Sequence, residues 1–299
     1  MSRPRALFSW SSGKDSAWAL HTLRQAGEVE VVGLLTTMNA EFDRVAMHAV
    51  RRALLEAQAE AAGLPLVTIP LPWPCSNEQY EAAMARGLAE AREGLDFTAV
   101  AFGDLFLEDV RAYREQRMEG TGLTPLFPLW GRPTPRLARE MVAGGLRAVL
   151  TCVDPRHLPL AFAGRTFDAA LLDDLPDAVD PCGERGEFHT FAYAGPMFSR
   201  PVERELGEVV ERDGFVFADV LCPAASGRMG EWENGGGRGG GESVFDTDGA
   251  LTREFLLNRG YCCGNGCRNC PYPAQVSSPT SQVPGPESRI PGQNVEGAA

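Results

Sequence analysis

The segment FSWSSGKDSAWAL, residues 8–20, places a polar run between two apolar segments near the start of the chain. A short apolar segment from Arg5 to Trp10 precedes its polar centre and predicts a β-strand. From Ser16 onward, apolar residues recur at helical spacing. The polar residues between these two segments therefore form a strand–loop–helix junction.

A junction of this kind favours an anionic ligand, because the start of a helix offers free backbone N–H groups and a partial positive charge. Glycine at the junction permits close approach of the ligand. The hydrogen-bond donors of the stretch are the side chains of Ser11, Ser12, Ser16 and Lys14, beside Gly13. Asp15 repels phosphate unless a divalent cation lies between them, so the stretch predicts a magnesium–nucleotide site. The alternative is an ordinary helix start capped by Ser11 or Ser12.

Composition indicates a soluble, enzyme-sized protein of 299 residues, of which 44% are hydrophobic and 23% charged. No stretch approaches the ~20 apolar residues of a membrane span, and the first residues lack the order of a signal peptide. We therefore expect a cytoplasmic protein with no membrane partner. The formal charge of −12 argues against a general electrostatic attraction to nucleic acid, so we do not expect a nucleic-acid partner.

Strands and helices alternate along the first half of the chain, which predicts an α/β fold with a doubly wound parallel sheet and helices on both faces. Ligands of such a sheet bind at the carboxyl ends of its strands. The predicted strands after the first lie at 29–38, 64–72, 97–103 and 147–153, and the predicted helices at 47–62, 77–93 and from 108.

The chain divides by composition into five parts. Residues 1–153 form the predicted nucleotide-binding domain, and residues 154–222 form a second, smaller α+β lobe. Residues 223–250 are rich in glycine and predict a flexible linker. A cysteine-rich module at 251–273 and a disordered tail at 274–299 follow.

Two motifs outside the junction carry ionisable residues. FGDLFLEDVRAYRE, from Phe102, places Asp104 directly after a strand, at the same predicted edge as the junction; an N-cap aspartate is the alternative. DPCGERGEFHTFAYAGPMF, from Asp180, brings Glu184, Glu187 and His189 within six positions. Such a cluster can bind an amine or move a proton, and a solvated acidic loop is the alternative.

The proline-rich stretch TPLFPLWGRPTPRLARE, from Thr124, predicts a rigid extended loop. Trp130 in this loop is a candidate pocket wall, although a packed connection is favoured for its individual residues.

Four cysteines are crowded near the end of the chain. They are Cys262, Cys263, Cys267 and Cys270. Four thiolates hold either Zn²⁺ or an iron–sulfur cluster, so this group predicts metal binding, with a redox or disulfide role as the alternative.

The junction is not a Walker P-loop, because Phe8 stands where that motif needs glycine and Asp15 follows Lys14. It resembles the PP-loop of ATP pyrophosphatases, Ser-Gly-Gly-x-Asp-Ser, with Ser12 in place of the first glycine. This PP-loop, "GD" at 103–104, "PLW" at 128–130 and "CGERGEFHTF" at 182–191 follow the order of the diphthine–ammonia ligase family. The resemblance extends over residues 5 to about 222.

The resemblance implies that ATP adenylates a carboxylate and that ammonia then displaces AMP. It implies a phosphate site formed by Ser11, Ser12, Gly13, Lys14, Asp15 and Ser16, with magnesium on Asp15. The backbone at Thr37 and Met38 would face the adenine. The residues expected toward substrate or ammonia are Lys14, Asp104, Glu184, Glu187 and His189.

The implied partners are ATP, ammonia and a carboxylate-bearing substrate, which is diphthine or another acid. The sequence leaves open whether two copies of the chain form a homodimer. One alternative function is a tRNA thiolase that uses the C-terminal cysteines, against which stand the charge of −12 and the lack of a basic stretch beside those cysteines. The other is an ATP-binding sensor without turnover, for which Asp15 and the 184–189 cluster are superfluous.

Overall fold

The computed structural model describes residues 3–45, 49–212 and 214–223. The chain divides into two units, residues 1–242 and 243–299, and the second unit lies outside the described residues. The predicted linker from 224 onward, the cysteine-rich module and the tail also lie outside them. In the described ranges no helix is both long and apolar enough to cross a membrane.

Two sheets make up the described fold. The first contains β1 (Arg5–Ser9), β2 (Glu30–Asn39), β3 (Arg44–Val45), β4 (Leu66–Leu71), β5 (Ala99–Ala101) and β6 (Thr124–Leu126). The second contains β7 (Arg147–Val153), β8 (Phe188–Ala194), β9 (Glu205–Arg212) and β10 (Phe215–Leu221). The helices are α1 (Lys14–Ala26), α2 (Arg52–Ala62), α3 (Asn77–Gly94), α4 (Glu108–Met118), α5 (Thr134–Ala143) and α6 (Ala169–Asp174).

The first sheet has the doubly wound arrangement expected from the alternation of strands and helices. β1 lies between β2 and β5, β4 pairs with β2, and β6 pairs with β5, all in parallel. The short strand β3 is antiparallel to β2. Because β1 and β5 are parallel neighbours, the loops that follow them meet at one edge of the sheet. The α/β prediction is confirmed.

The second sheet has the strand order β8-β7-β10-β9 and is entirely antiparallel. The segment 147–153 was expected to continue the first sheet, and this expectation is wrong, because β7 pairs with β8 and β10 instead. Six of the seven residues of β7 are buried. A strand that is buried on both faces has the same continuous apolar sequence in the middle of either sheet. Its composition therefore does not predict which strands it pairs with.

Two further local expectations are corrected, and a third holds. The segment from Thr124 was expected to be an extended loop, but it begins with β6, and α5 starts at Thr134 with Pro135 in its first turn. Trp130 packs against Phe127 and Arg111, so the part between these elements is the packed connection that was favoured. Helix α2 begins at Arg52 rather than at 47, and residues 46–48 lie outside the described ranges.

The two sheets share one hydrophobic core. Phe8 and Leu20 of the first sheet's layer belong to the same buried cluster as Val149 and Phe191 of the second. A smaller cluster on the other face of the first sheet packs α3 against β2 and β5. The junction after β1 therefore lies at the boundary of the two sheets, where residues from both reach it.

Gln58 of α2 ties this boundary together. Its fully buried amide accepts a hydrogen bond from the Trp10 indole at 2.9 Å. It donates to the carbonyls of Ser12 at 3.0 Å and Ala192 at 2.6 Å. A buried amide with all three contacts satisfied fixes the relative position of the groups that it joins.

Candidate functional site

A cavity of about 210 Å³ opens at the carboxyl ends of β1 and β5. The junction residues, the loop after β5 and the segment that leads into β8 all contribute to it, so both sheets form its walls. Its lining consists of Ser9, Ser11, Lys14, Asp15, Ser16, Phe102, Gly103, Asp104, Arg114, Gly183, Glu184, Phe188, His189 and Thr190.

The start of α1 offers hydrogen-bond donors to this cavity. Gly13 is the N-cap residue and has no side chain, so the alternative in which Ser11 or Ser12 is the capping residue is wrong. The hydroxyls of Ser11 and Ser16 lie 2.6 Å apart and bond to each other. Both line the cavity, where rotation of either hydroxyl would turn it toward a bound anion.

Ser12 adopts a left-handed backbone conformation, with φ at +69°. This is the position at which the PP-loop motif has glycine, and a residue with a Cβ is strained there. The Ser12 hydroxyl is buried and has no hydrogen-bond partner in the described part of the chain. The conformation persists because the Ser12 carbonyl accepts from the Ala192 backbone N–H at 3.0 Å and from the Gln58 amide.

Lys14 is almost completely buried, although it lines the bottom of the cavity. Its ammonium donates to Asp15 Oδ2 at 2.7 Å and to the carbonyl of Cys182. It also lies 5.3 Å from the centre of the Phe188 ring and 5.6 Å from that of Phe167. Burial is the largest single influence and opposes its charge, but Asp15, Cys182 and Glu184 together outweigh burial and raise the pKa of Lys14. The ammonium is therefore charged and already bound by the protein.

Asp15 has one carboxylate oxygen engaged and one unused. Oδ2 accepts from Lys14, whereas Oδ1 is buried and has no hydrogen-bond partner among the described residues. An unpartnered buried carboxylate oxygen is costly unless something binds it, and a cation suits it. No cluster of three or more His, Cys, Asp or Glu within the described ranges forms a complete metal site. One carboxylate nevertheless fits Mg²⁺, which takes most of its ligands from phosphate and water in nucleotide sites.

Gly103 allows the loop after β5 to lie against the start of α1. A Cβ at this position would come within 2.9 Å of the Ser16 backbone nitrogen and 3.1 Å of the Asp15 carbonyl carbon. The next residue, Asp104, lines the cavity and pairs with Arg114 through two hydrogen bonds, of 2.5 and 3.1 Å. The N-cap of α4 is Leu107, so the alternative role of Asp104 as an N-cap is wrong.

Glu184 and His189 both reach the cavity. Glu184 Oε1 accepts from the Leu105 backbone N–H at 2.8 Å, and burial raises the pKa of this carboxyl to about 7. Burial, with a smaller contribution from the charge of Lys14, lowers the pKa of His189 to about 4. At neutral pH the cavity therefore holds a carboxyl near its titration midpoint and a neutral imidazole.

Glu187 was expected to face the substrate beside Glu184, and the structure corrects this. Its buried carboxylate accepts from the backbone N–H groups of Asp180 at 2.9 Å and Arg185 at 3.0 Å, and it does not line the cavity. Asp180 in turn accepts from the Cys182 backbone N–H at 2.7 Å. Glu187 thus organises the loop of residues 180–187, which presents Glu184 and the Cys182 carbonyl.

Thr37 and Met38 lie on β2, two and three residues beyond Leu35, the register partner of Ser9 at the end of β1. Their backbone is at the same edge of the sheet as the junction, but neither residue lines the cavity, and the Met38 side chain is in the core. The predicted metal ligands Cys262, Cys263, Cys267 and Cys270 lie outside the described residues.

Sequence reasoning missed three residues of this site. Arg114 is one of several arginines on an exposed helix, and nothing local distinguishes it. Thr190 accepts from the Lys14 backbone N–H at 3.0 Å across 176 positions. Gln58 had a usable signal, because it is a polar residue on the apolar face of α2, three and four positions after Leu55 and Leu54.

Comparison with known proteins gives two adjoining matches in the described region. Residues 4–125 match a diphthamide synthase N-terminal domain, and residues 134–216 match a diphthamide synthase C-terminal domain. Residues 248–276 match a family of unknown function.

Similar whole proteins carry the name diphthine–ammonia ligase. One from Homo sapiens is 27% identical over 232 residues, which cover 70% of this chain and 86% of that protein. One from Bos taurus is 26% identical with the same coverage. One from Danio rerio is 27% identical over 233 residues, covering 70% of this chain and 90% of the relative.

The strain at Ser12 leads to a stability prediction. Ser12→Gly removes both the left-handed strain and the unpartnered hydroxyl, so we expect the free energy of unfolding to rise by about 1 kcal/mol. The matched control Ser12→Ala removes only the hydroxyl and should stabilise less. Urea unfolding of the three proteins measures both effects, and a Gly variant less stable than the Ala variant would contradict the strain at this position.

Proposed function

Because the chain belongs to the diphthine–ammonia ligase family, we propose that it is an ATP-dependent ligase that joins ammonia to a carboxylate and releases AMP and pyrophosphate. The observation that carries the proposal is the unpartnered Asp15 oxygen in a cavity at the start of a helix. That combination suits a magnesium–nucleotide better than a free anion.

The reaction needs ATP because a carboxylate does not react with ammonia directly, since oxide is a poor leaving group. Transfer of the adenylyl group to the carboxylate makes AMP the leaving group instead. In our proposal the N–H groups at the start of α1 and the hydroxyls of Ser11 and Ser16 hold the phosphates, whereas the buried Ser12 hydroxyl, expected there from the motif, does not line the cavity. Bound Mg²⁺ would neutralise charge on the departing pyrophosphate, and Asp15 Oδ1 would hold it.

Lys14 has a different role from the direct phosphate contact that the motif suggests. Its ammonium is bound by Asp15 and by the Cys182 carbonyl beneath two phenyl rings. We therefore assign it as a positioning residue that fixes Asp15 with one oxygen toward the cavity. Because Lys14 lines the cavity, the charge of its ammonium would still act on bound phosphates.

Glu184 is the residue that we propose to take a proton from the attacking ammonia. A general base works best when its pKa lies near the working pH, and burial holds the pKa of this carboxyl at about 7. The neutral His189 beside it can accept or donate a hydrogen bond without adding charge. Asp104, held by Arg114, also lines the cavity and would orient the acceptor.

The acceptor and the cysteine-rich module require separate proposals. The name of the relatives indicates diphthine, and we propose diphthine as the acid, with another carboxylate as the alternative. We propose that Cys262, Cys263, Cys267 and Cys270 bind Zn²⁺ or an iron–sulfur cluster that amidation does not use. The thiolase and sensor alternatives gain no support from relatives that are named as ligases.

The nucleotide products test the proposed reaction. With Mg-ATP, ammonia and diphthine-bearing protein, the enzyme should form AMP and pyrophosphate, measured by ion-exchange chromatography. Asp15→Asn should lower turnover of the folded protein by roughly 100-fold, because the amide binds Mg²⁺ poorly, and it should also lower stability by leaving the buried Lys14 ammonium uncompensated. The control Asp96→Asn changes an exposed aspartate that pairs with Arg5 outside the cavity, and it should keep full turnover. Formation of ADP and phosphate would contradict the proposal.

The pKa of Glu184 predicts a pH dependence with a definite sign. The base acts when ionised, so kcat/KM at a fixed concentration of free ammonia should fall about tenfold per pH unit below about 7 and level off above it. Glu184→Gln should lose this dependence together with roughly 100-fold of the rate. Should the same fall persist in the Gln variant, the base is another group.

A further inference from the structure

Strand β9 leaves an apolar edge exposed on the second sheet. It is the last strand in the order β8-β7-β10-β9, and among residues 3–45, 49–212 and 214–223 it pairs with β10 alone. Leu206 is 50% exposed, Val209 55% and Val210 37%. Exposed edges that carry large apolar side chains are sites of pairing with another strand unless they are blocked.

The charges on β9 are arranged to suit a copy of itself. Glu208 and Arg212 lie two positions before and after Val210. Val210 and Arg212 share one face of the strand, and Glu208 lies at a bulge between Leu206 and Val209. Both charged residues are exposed, and within the part of the chain that the structure describes neither forms an ion pair. An antiparallel copy reverses this order and brings opposite charges together.

We propose that two copies of this chain pair through β9, antiparallel, about a two-fold axis that passes between the two Val210 residues. In this register Glu208 of each copy lies opposite Arg212 of the other, which gives two cross-strand ion pairs beside a Val–Val pair. A shift by two residues places Glu208 opposite Val210, and a shift by four residues places the two Glu208 residues opposite each other. Both shifted registers lose the ion pairs, and the second adds repulsion.

The dimer interface lies away from the candidate active site. β8, which contacts the phosphate-binding junction, is at the other edge of the same sheet. The dimer therefore does not depend on the proposed function and leaves the cavity open. Because one pair of short strands buries little surface, we expect a dimer that dissociates on dilution through the micromolar range.

Sedimentation velocity of the full chain over a range of concentrations tests the dimer. Arg212→Glu places like charges opposite each other and should raise the dissociation constant at least about tenfold. The charge swap Glu208→Arg with Arg212→Glu restores opposite charges and should restore dimerisation. A parent chain that stays monomeric, or a single variant that dimerises like the parent, would overturn the proposal.

Cysteine cross-linking tests the register. Val210→Cys places two thiols across the axis and should give a disulfide-linked dimer on mild oxidation, beyond any seen with the parent chain. The matched variant Val209→Cys should not, because in this register residue 209 lies opposite Glu211. Cross-linking through position 209 and not through 210 would overturn the register that we propose.

Discussion

The buried ammonium of Lys14 is the interaction on which the candidate site depends. It joins the junction after β1, in the first sheet, to the Cys182 carbonyl in the loop that leads into the second. Because it also takes Oδ2 of Asp15, it determines that Oδ1 is the oxygen left for a ligand. Loss of one partner would leave a charge uncompensated in the interior, which is strongly destabilising.

The charges of the residues that line the cavity explain why a nucleotide would bind there together with a cation. Its two basic side chains, Lys14 and Arg114, are already paired with Asp15 and Asp104. Glu184 adds a further negative charge when it ionises. The cavity offers phosphates hydroxyl groups and the N–H groups at the start of a helix. Among its lining residues, no positively charged side chain is without an acidic partner. In our proposal, Mg²⁺ bound to Asp15 would supply the missing charge.

The sequence alone predicts the features that depend on residues close together in the chain. The junction, the position of Asp104 after β5 and the candidate residue Glu184 all follow from local patterns. Features that depend on distant contacts could not be predicted. Lys14 is buried by a loop 168 positions away, and two glutamates three positions apart have different surroundings because Glu187 binds backbone N–H groups of its own loop.

Lys14 is the only lysine in the chain, which permits one direct measurement. With [15N]lysine incorporated, the ligand-free protein should show a single side-chain ammonium resonance in NMR spectra. Our account predicts that this signal is visible at neutral pH, because buried hydrogen bonds slow exchange with water, and that its pKa lies above the ordinary 10.5. An ammonium that exchanges too rapidly to be seen, with an ordinary pKa, would contradict the buried lysine on which the account depends.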